Sequence, residues 1–343
     1  MSDHISTDMG FMDHFVESRV DADGFLSRVD RLMDWSPMEK LLKKHYKKVA
    51  AADGRPAYPA LTMFKILLIQ RWYSLSDAGM SEALRDRLSF LRFSGLSFHS
   101  PTPDASTICR FRQALAHHDL YRRLLEGINR QLAGCGVIIK TGVAVDATLV
   151  ASSRRPRKVI EVPAAEEEGA SISEDSGVKV SYSDDVEATW TVKGKRPHYG
   201  YKVHMGTDAY EGFVLGGHVT AAHVSDSVEL ETLVEELSLP EGALVLADKG
   251  YVGQRNDAVL EARGLKNGIM EKAWRDHPLP KEARTRNLLI GKLRYVVEQG
   301  FGTLKRSYGF VRARYLGRLK TEIEFHLLAM AFNLKKAVRL MAA

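Results

Sequence analysis

Five consecutive residues, Ala243–Ala247 (ALVLA), carry no polar side chain, and that run restricts the fold more than any other. A strand apolar on both faces is a central strand, covered from both sides. It ends in Asp248-Lys249-Gly250-Tyr251, so a carboxylate emerges at the tip of a buried strand just before a glycine where the chain turns. A second stretch is similar: after Gly136, VIIKTGVAVDATLVASS is β-branched and favours a buried strand. Period two places Val143 and Val145 on one face and Ala144, Asp146 and Thr148 on the other. Asp146 thus points from mid-strand, where an acid is costly unless paired, hydrogen-bonded or bound to metal. The plain alternative is an acid at a strand end that makes a turn.

Further strands and helices follow from pattern. Tyr199–Asp208 and Phe213–Ala221 read as antiparallel strands joined at 209–212 (AYEG), Ser227–Leu237 as a short helix and Leu265–Met270 as another strand. Upstream of Gly136 every periodic segment is helical. Ser27–Lys48 makes one or two helices broken near Ser36-Pro37, and Leu61–Tyr73 a buried one. Asp77 is expected to cap a helix running to about Leu91, and Thr107 to open a long one over Ile108–Leu132. The expected organisation is an arm over 1–26, an all-helical domain over 27–135 and a mixed α/β domain over 136–343. A flexible, charge-rich insertion over 151–192 interrupts the last. The helical domain suits either DNA binding or dimerisation and packing; Arg110 and Arg112 are weak candidates for phosphate contact.

Arg284–Gly309 forms an amphipathic helix. At about 100° per residue, Leu289, Leu293, Val296, Val297, Phe301 and Leu304 gather on a packing side, while Arg294, Glu298 and Lys305 fall within roughly 40° of one another. Between Lys281 and Lys320 stand eleven Lys or Arg against only Glu282 and Glu298. Glu298 is either half of an Arg294–Glu298 (i, i+4) pair or a metal-binding acid beside phosphate-holding cations. The formal charge is +6, and its concentration in the C-terminal quarter suits a polyanion-binding face or a generic basic surface. Lys335, Lys336 and Arg339 read as a solvated face.

The two cysteines, Cys109 and Cys135, lack any CxxC or Cys/His spacing, which supports neither a disulfide framework nor a zinc site. No apolar run approaches the ~18 residues of a membrane span, and the N-terminus lacks a basic start followed by an apolar block. A cytoplasmic location is expected.

If the first and fourth strands of the α/β domain are neighbours, Asp146 and Asp248 lie side by side and Glu298 can close over them. Three crowded carboxylates repel and call for divalent cations; Mg²⁺ (or Mn²⁺) suits hard oxygen ligands and leaves positions open to phosphate. A pair of ions about 3.5–4 Å apart serves in-line displacement at phosphorus. Lys249, Arg294 and Lys305 would steady the phosphate, with Lys195, Arg196, Arg306, Arg312 and Arg314 extending a DNA-binding surface. His223 and Asp226 (AAHVSD) are secondary candidates. So is Tyr251, which like Trp190 is a candidate for stacking on a displaced base, against the plain alternative of a core aromatic.

These residues carry a resemblance. Asp146 in VDAT, Asp248 in LADKGY, and Arg294, Glu298 and Lys305 in RYVVEQGFGTLK resemble the DDE transposases of the IS5 group of insertion sequences. The spacing R-x3-E-x6-K fits that class, and YGYKVHMGTD, RSYGFVRARY and PDASTICRFR add to the likeness. Gly291 stands where the fuller pattern often has Tyr. The resemblance implies an RNase H-like core, Mg²⁺-dependent cleavage at element ends, joining to target DNA, and a homodimer on double-stranded terminal inverted repeats. A metal-dependent nuclease without strand transfer, or a non-catalytic transposase-derived DNA-binding protein, are the rival readings.

Overall fold

β1 (Gly142–Ala151) lies at the centre of a mixed sheet, between β5 (Arg196–Asp208) and β7 (Leu244–Ala247). The computed structural model describes residues 16–341 apart from 17, 47–56, 117–118, 155–158, 162–178, 182–184 and 276. The arm expected over 1–26 therefore lies mostly outside the described residues, as does most of the charged insertion.

β5 runs antiparallel to β1, with Asp146 opposite Met205, and carries β6 (Val214–Ala221) and β4 (Thr189–Lys193) along its other edge. β7 and then β8 (Lys266–Ile269) continue on the far side of β1, both parallel. The order β6-β5-β1-β7-β8, three antiparallel strands followed by two parallel ones, is the arrangement expected of an RNase H-like core. A separate two-stranded ribbon pairs β2 (Val159–Glu161) with β3 (Lys179–Ser181).

The expected hairpin turn has a clear cause. Asp208 accepts hydrogen bonds from the backbone N–H groups of Tyr210, Glu211 and Phe213 at 3.0, 2.7 and 2.6 Å, which fixes the reversal. The β4–β5 hairpin turns through Gly194 and Lys195, both at positive φ (56° and 67°), the geometry of a two-residue turn whose twist matches its strands. Gly217 on β6 is the tightest point. Its φ is 150° and an added Cβ would sit 2.1 Å from the His204 carbonyl oxygen, a backbone atom with no room to move. Gly217→Ala is expected to destabilise the protein by on the order of 3 kcal/mol; a thermal midpoint within a degree of wild type would contradict this.

The helical region contains α1 (Phe25–Leu32), α2 (Ser36–His45), α3 (Ala60–Trp72), α4 (Asp77–Asp86), α5 (Leu88–Ser94), α6 (Ala105–Ala114) and α7 (Leu120–Gly134). Two expectations about it are corrected. The helix expected from Asp77 to Leu91 breaks at Arg87, which is extended (φ −112°, ψ 105°), and that expected over Ile108–Leu132 breaks before Asp119, which sits at φ 50°. The caps move as well. Ser76, not Asp77, accepts from Gly79 N, and Asp104, not Thr107, opens α6 by accepting from Thr107 N at 2.7 Å.

Four helices complete the α/β part: α8 (Leu230–Leu237), α9 (Gln254–Ala262), α10 (Lys281–Tyr308) and α11 (Arg318–Leu340). Gly206 meets Leu237 of α8, whereas Gly300 of α10 meets Met205 and Thr207. Adjacent positions of β5 point to opposite faces, so α8 and α10 cover opposite sides of the sheet, and α10 lies on the side that Asp146 faces. Its packing side is not quite the one expected. Val297, Phe301 and Leu304 are buried, but Leu289 and Leu293 are 56% and 46% exposed. The first turns of this 28-residue helix hold Leu289 and Leu293 over an open cavity shared with Leu244 and Leu246 of β7 and Asn267 and Gly268 of β8, and there the buried positions are Ala283, Ile290 and Arg294.

α11 is buried along most of its length and packs against β6 and also against α1, α3 and α7, so one helix floors both parts of the chain. Asn333 on α11 and Asn129 on α7 complete the edge of β6. Asn333 Oδ1 accepts from Val214 N at 2.9 Å, its Nδ2 donates to Val214 O at 2.8 Å, and Asn129 Nδ2 donates to Leu215 O at 3.1 Å. Side-chain amides thus satisfy backbone groups that a further strand would otherwise pair. Trp72 Nε1 donates to Ala331 O at 2.8 Å, tying α3 to the same helix.

Candidate active site

The parallel register of β1 and β7 pairs Ala144 with Leu246. Two residues further along each strand stand Asp146 and Asp248. The two acids therefore lie at matching positions on neighbouring strands, Asp248 just past the carboxyl end of β7 and Asp146 in the middle of the longer β1. Asp248 leaves the strand and turns, its side chain accepting from Gly250 N at 2.8 Å to open a short 3₁₀ turn over Lys249–Tyr251. The Gly after Lys249 matters here, since an added Cβ would sit 2.8 Å from the Asp248 carboxylate.

Asp146 remains in mid-strand, its side chain 24% exposed. Its Oδ1 accepts from Ala147 N at 2.8 Å and lies 3.6 Å from an Arg294 guanidinium nitrogen. Burial pushes its carboxyl up to about 6, and the nearby charges of Asp248 and Asp226 push the same way, against the pull of Arg294 and the Ala147 N–H. The turn-forming alternative for Asp146 thus fails: the acid is an inward-facing member of a negative cluster.

Arg294 settles the question raised by its position on α10. It reaches Asp146 and is itself buried, with its Nε making no hydrogen bond to any described residue. The Arg294–Glu298 helix pair does not form. Lys305, three turns along the helix, donates to Thr148 Oγ1 at 2.6 Å, and Thr148 shares the face of Asp146. Burial and the nearby Lys193 lower the Lys305 pKa, while Asp146 raises it. Two α10 cations therefore bracket the acid.

Glu298 is placed differently from the expectation. It stands exposed between those cations on α10, without an ion pair to any described residue, and among the described residues no three metal-ligating side chains come close enough to share one ion. Carboxylates repel one another unless a cation lies between them. The acid that does reach the pair is Asp226, at the start of a 3₁₀ turn over Asp226–Val228, where Lys202 Nζ approaches it at 2.7 Å. Tyr251 is buried with its hydroxyl unpartnered among the described residues, and burial, then the charges of Asp226, Asp146 and Asp248, push its pKa well above the usual phenol range.

The remaining candidates divide by accessibility. Arg196, Lys195 and Lys193 stand exposed on the β4–β5 hairpin beside Trp190, which is 54% exposed and leans on Tyr199 at 5.3 Å between ring centres. Lys249 and Arg306 are also exposed. Arg312 instead donates to the backbone of Ser152 and Ser153, and Arg314 to Leu75 O at 3.1 Å, so both brace the chain. Arg112 is buried, its guanidinium gripping Asp77 at 2.8 and 2.5 Å, which removes it as a phosphate contact. His223 holds Thr189 Oγ1 at 3.0 Å at the start of β4.

Sequence reasoning passed over Asp185, inside the stretch read as an insertion. It is buried and receives the Ser152 and Tyr201 hydroxyls and, at 3.1 Å, Gly317 N. An acidic residue in a polar, glycine-rich segment gives no local sign of burial; its partners lie far away in sequence.

Comparison with known protein families matches residues 14–114 to the Transposase domain (DUF772) and residues 139–334 to the Transposase DDE domain. The chain belongs to the DDE transposase domain family. No solved structure matches it significantly. The matched segments of this transposase end in the helical part and begin just before β1, and the second takes in Asp146, Asp248, Arg294, Glu298 and Lys305. The donor set suits divalent metal: carboxylate oxygens are hard ligands, and Asp146, Asp248 and Asp226 bring negative charge together beside the cations Arg294 and Lys202. Among the described residues, no helix is long and apolar enough to cross a membrane.

Proposed function

We propose that the protein is a transposase of the IS5 insertion-sequence group that binds terminal inverted repeats as a homodimer, cleaves DNA at the element ends and joins the freed 3′-ends to target DNA, acting on the nucleoid. The observation that carries this reading is the in-register placement of Asp146 and Asp248 on adjacent parallel strands, with Arg294 and Lys305 of α10 beside them.

Asp146 and Asp248 would hold Mg²⁺ or Mn²⁺, joined by Glu298 from the stretch of α10 between the two cations. When bound, two such ions activate an attacking hydroxyl and stabilise the leaving oxygen in an in-line displacement. The chain's own groups do the positioning. Arg294, with an unused buried Nε, supplies a fork donor suited to a phosphate oxygen. Lys305, already partly desolvated, supplies a second positive charge, and Lys249 stands at the mouth. Asp226 adds a fourth carboxylate, held by Lys202 at 2.7 Å, and the Tyr251 hydroxyl, unpartnered among the described residues, lies near the acids. Lys193, Lys195 and Arg196 on the hairpin, with Trp190 exposed among them, form a second contact region for the backbone and bases.

The test uses a duplex carrying the element end and a pre-cleaved version of it. Wild type with Mg²⁺ or Mn²⁺ is expected to nick the first and join the second to another duplex. Asp248→Asn and Glu298→Gln should lose both activities by at least about 10³-fold while still shifting the DNA in a gel. Nicking without any joining would leave the nuclease reading; full cutting by Glu298→Gln would remove that glutamate from the site.

A further inference from the structure

A second side of α10 lines a cavity. Relative to Arg294, the residues Gln299, Thr303 and Ser307 lie roughly 140–220° around the helix, facing away from Asp146. They line a cavity of about 420 Å³ whose opposite wall is the last part of α11, with Lys335, Lys336 and Arg339. Phe332, Val296 and Leu340 give it an apolar side. Tyr308 also lines it: the residue is 6% exposed and its hydroxyl has no partner among the described residues. A buried hydroxyl is costly to leave unsatisfied, and this one belongs to the wall of an open pocket.

The charge is one-sided. Lys335 and Arg339 are exposed and form no ion pair with any described residue. Lys336 Nζ donates to the Glu211 backbone carbonyl and lies 5.4 and 5.7 Å from the ring centres of Phe213 and Phe332. Burial lowers its pKa; the carboxylates of Glu211 and Asp208 act in the opposite direction, and Arg339 reinforces the lowering. Basic side chains in a final helical turn also offset the helix dipole. That accounts for their sign, but not for a cavity with the Gln299 amide and Ser307 hydroxyl on one wall, where Thr303 donates to Gln299 O, apolar surface on another and a buried phenol with no partner among the described residues.

We propose that this pocket binds a nucleotide unit, with the phosphate on Lys335, Lys336 and Arg339 and the base against the apolar side where Tyr308 presents its hydroxyl. The unit is either a free nucleotide or one residue of a DNA strand passing behind α10, and the site is separate from the acid cluster. It requires nothing of the cleavage chemistry.

The experiment uses the full-length protein with two probes: dAMP by calorimetry and a labelled 20-nucleotide single strand by fluorescence anisotropy across a salt series. Lys335→Ala/Arg339→Ala is expected to weaken binding at least about tenfold, and for the oligonucleotide to make the log–log salt slope shallower by about 0.7–1.4. Tyr308→Phe should weaken dAMP binding severalfold while leaving the thermal midpoint of the unliganded protein unchanged or higher, an outcome a merely structural phenol would not give. Loss of oligonucleotide binding identifies a strand as the occupant, and loss of dAMP binding alone identifies a free nucleotide. Unchanged affinities for both probes in the double variant would overturn the proposal. Binding of dAMP should persist unchanged in EDTA, which keeps this result independent of the catalytic reading.

Discussion

Replacing Asp146 by Asn is expected to abolish strand cleavage and, at the same time, to stabilise the metal-free protein at neutral pH. The two effects share one cause. Burial and neighbouring acids raise the Asp146 carboxyl from 3.8 to about 6, so the fold favours its protonated form. The stability this group contributes is fully present below pH ~3.8 and is lost as pH rises through ~6. Asn imitates the protonated state and keeps an oxygen for the Ala147 N–H. At pH 7.5 its gain is at most about 3 kcal/mol, since each tenfold change in proton affinity is worth about 1.4 kcal/mol, and it should vanish below pH ~4. Mn²⁺ or Mg²⁺ should raise the melting temperature of wild type, since a ligand that binds only the folded state stabilises it, and do so far less for the Asn protein. Denaturation at pH 4 and 7.5, with and without metal, checks the sign. An Asn variant less stable than wild type at pH 7.5, or one that still cuts DNA, would remove Asp146 from the role assigned to it.

The second large effect is expected far from that cluster, where Arg71 of α3 meets Glu324 of α11. Both are buried. Arg71 Nη1 lies 3.5 Å from Glu324 Oε1 and its Nη2 donates to Tyr315 at 3.0 Å, while the Tyr315 ring underlies Arg112 at 4.7 Å. Glu324 also accepts from Arg314 N at 2.9 Å. Arg71→Met leaves Glu324, whose pKa burial already raises, with only the Arg314 guanidinium at 3.7 Å to offset it, and breaking a buried pair from one side costs about 3–5 kcal/mol. The double variant Arg71→Met/Glu324→Leu should recover much of that loss, because replacing both partners removes the uncompensated charge. Urea titration of the four proteins gives the cycle. A single-variant loss under about 1 kcal/mol would mean that the pair is not desolvated as described.

The parts of this fold legible in sequence were those governed by local pattern. The apolar run Ala243–Ala247 and the β-branched stretch around Asp146 gave two strands and two acids at corresponding positions, and the 209–212 turn was visible because Asp208 makes it by itself. Where distant contacts decide, the sequence was silent. The breaks at Arg87 and ahead of Asp119 involve neither Gly nor Pro. Leu289 and Leu293 fit the apolar stripe of α10 but line an open cavity over β7 and β8 instead of a filled core, and Arg294 turns inward because Asp146, 148 residues earlier in the numbering, is its partner. Asp226 could be suspected only as a neighbour in a loop; its electrostatic contact with Asp146 depends on how the turn after β6 is carried over the strand ends.

α11 floors the helical region and closes the β6 edge at once, and this has a genetic consequence. A chain terminated anywhere before Arg318 would lose its Asn333 clamp, the Ala331 carbonyl that receives Trp72 and the Glu324 that receives Arg71. Neither half would keep a covered core. Shortened translation products of this protein should therefore be cleared as unfolded chains rather than persist as folded fragments.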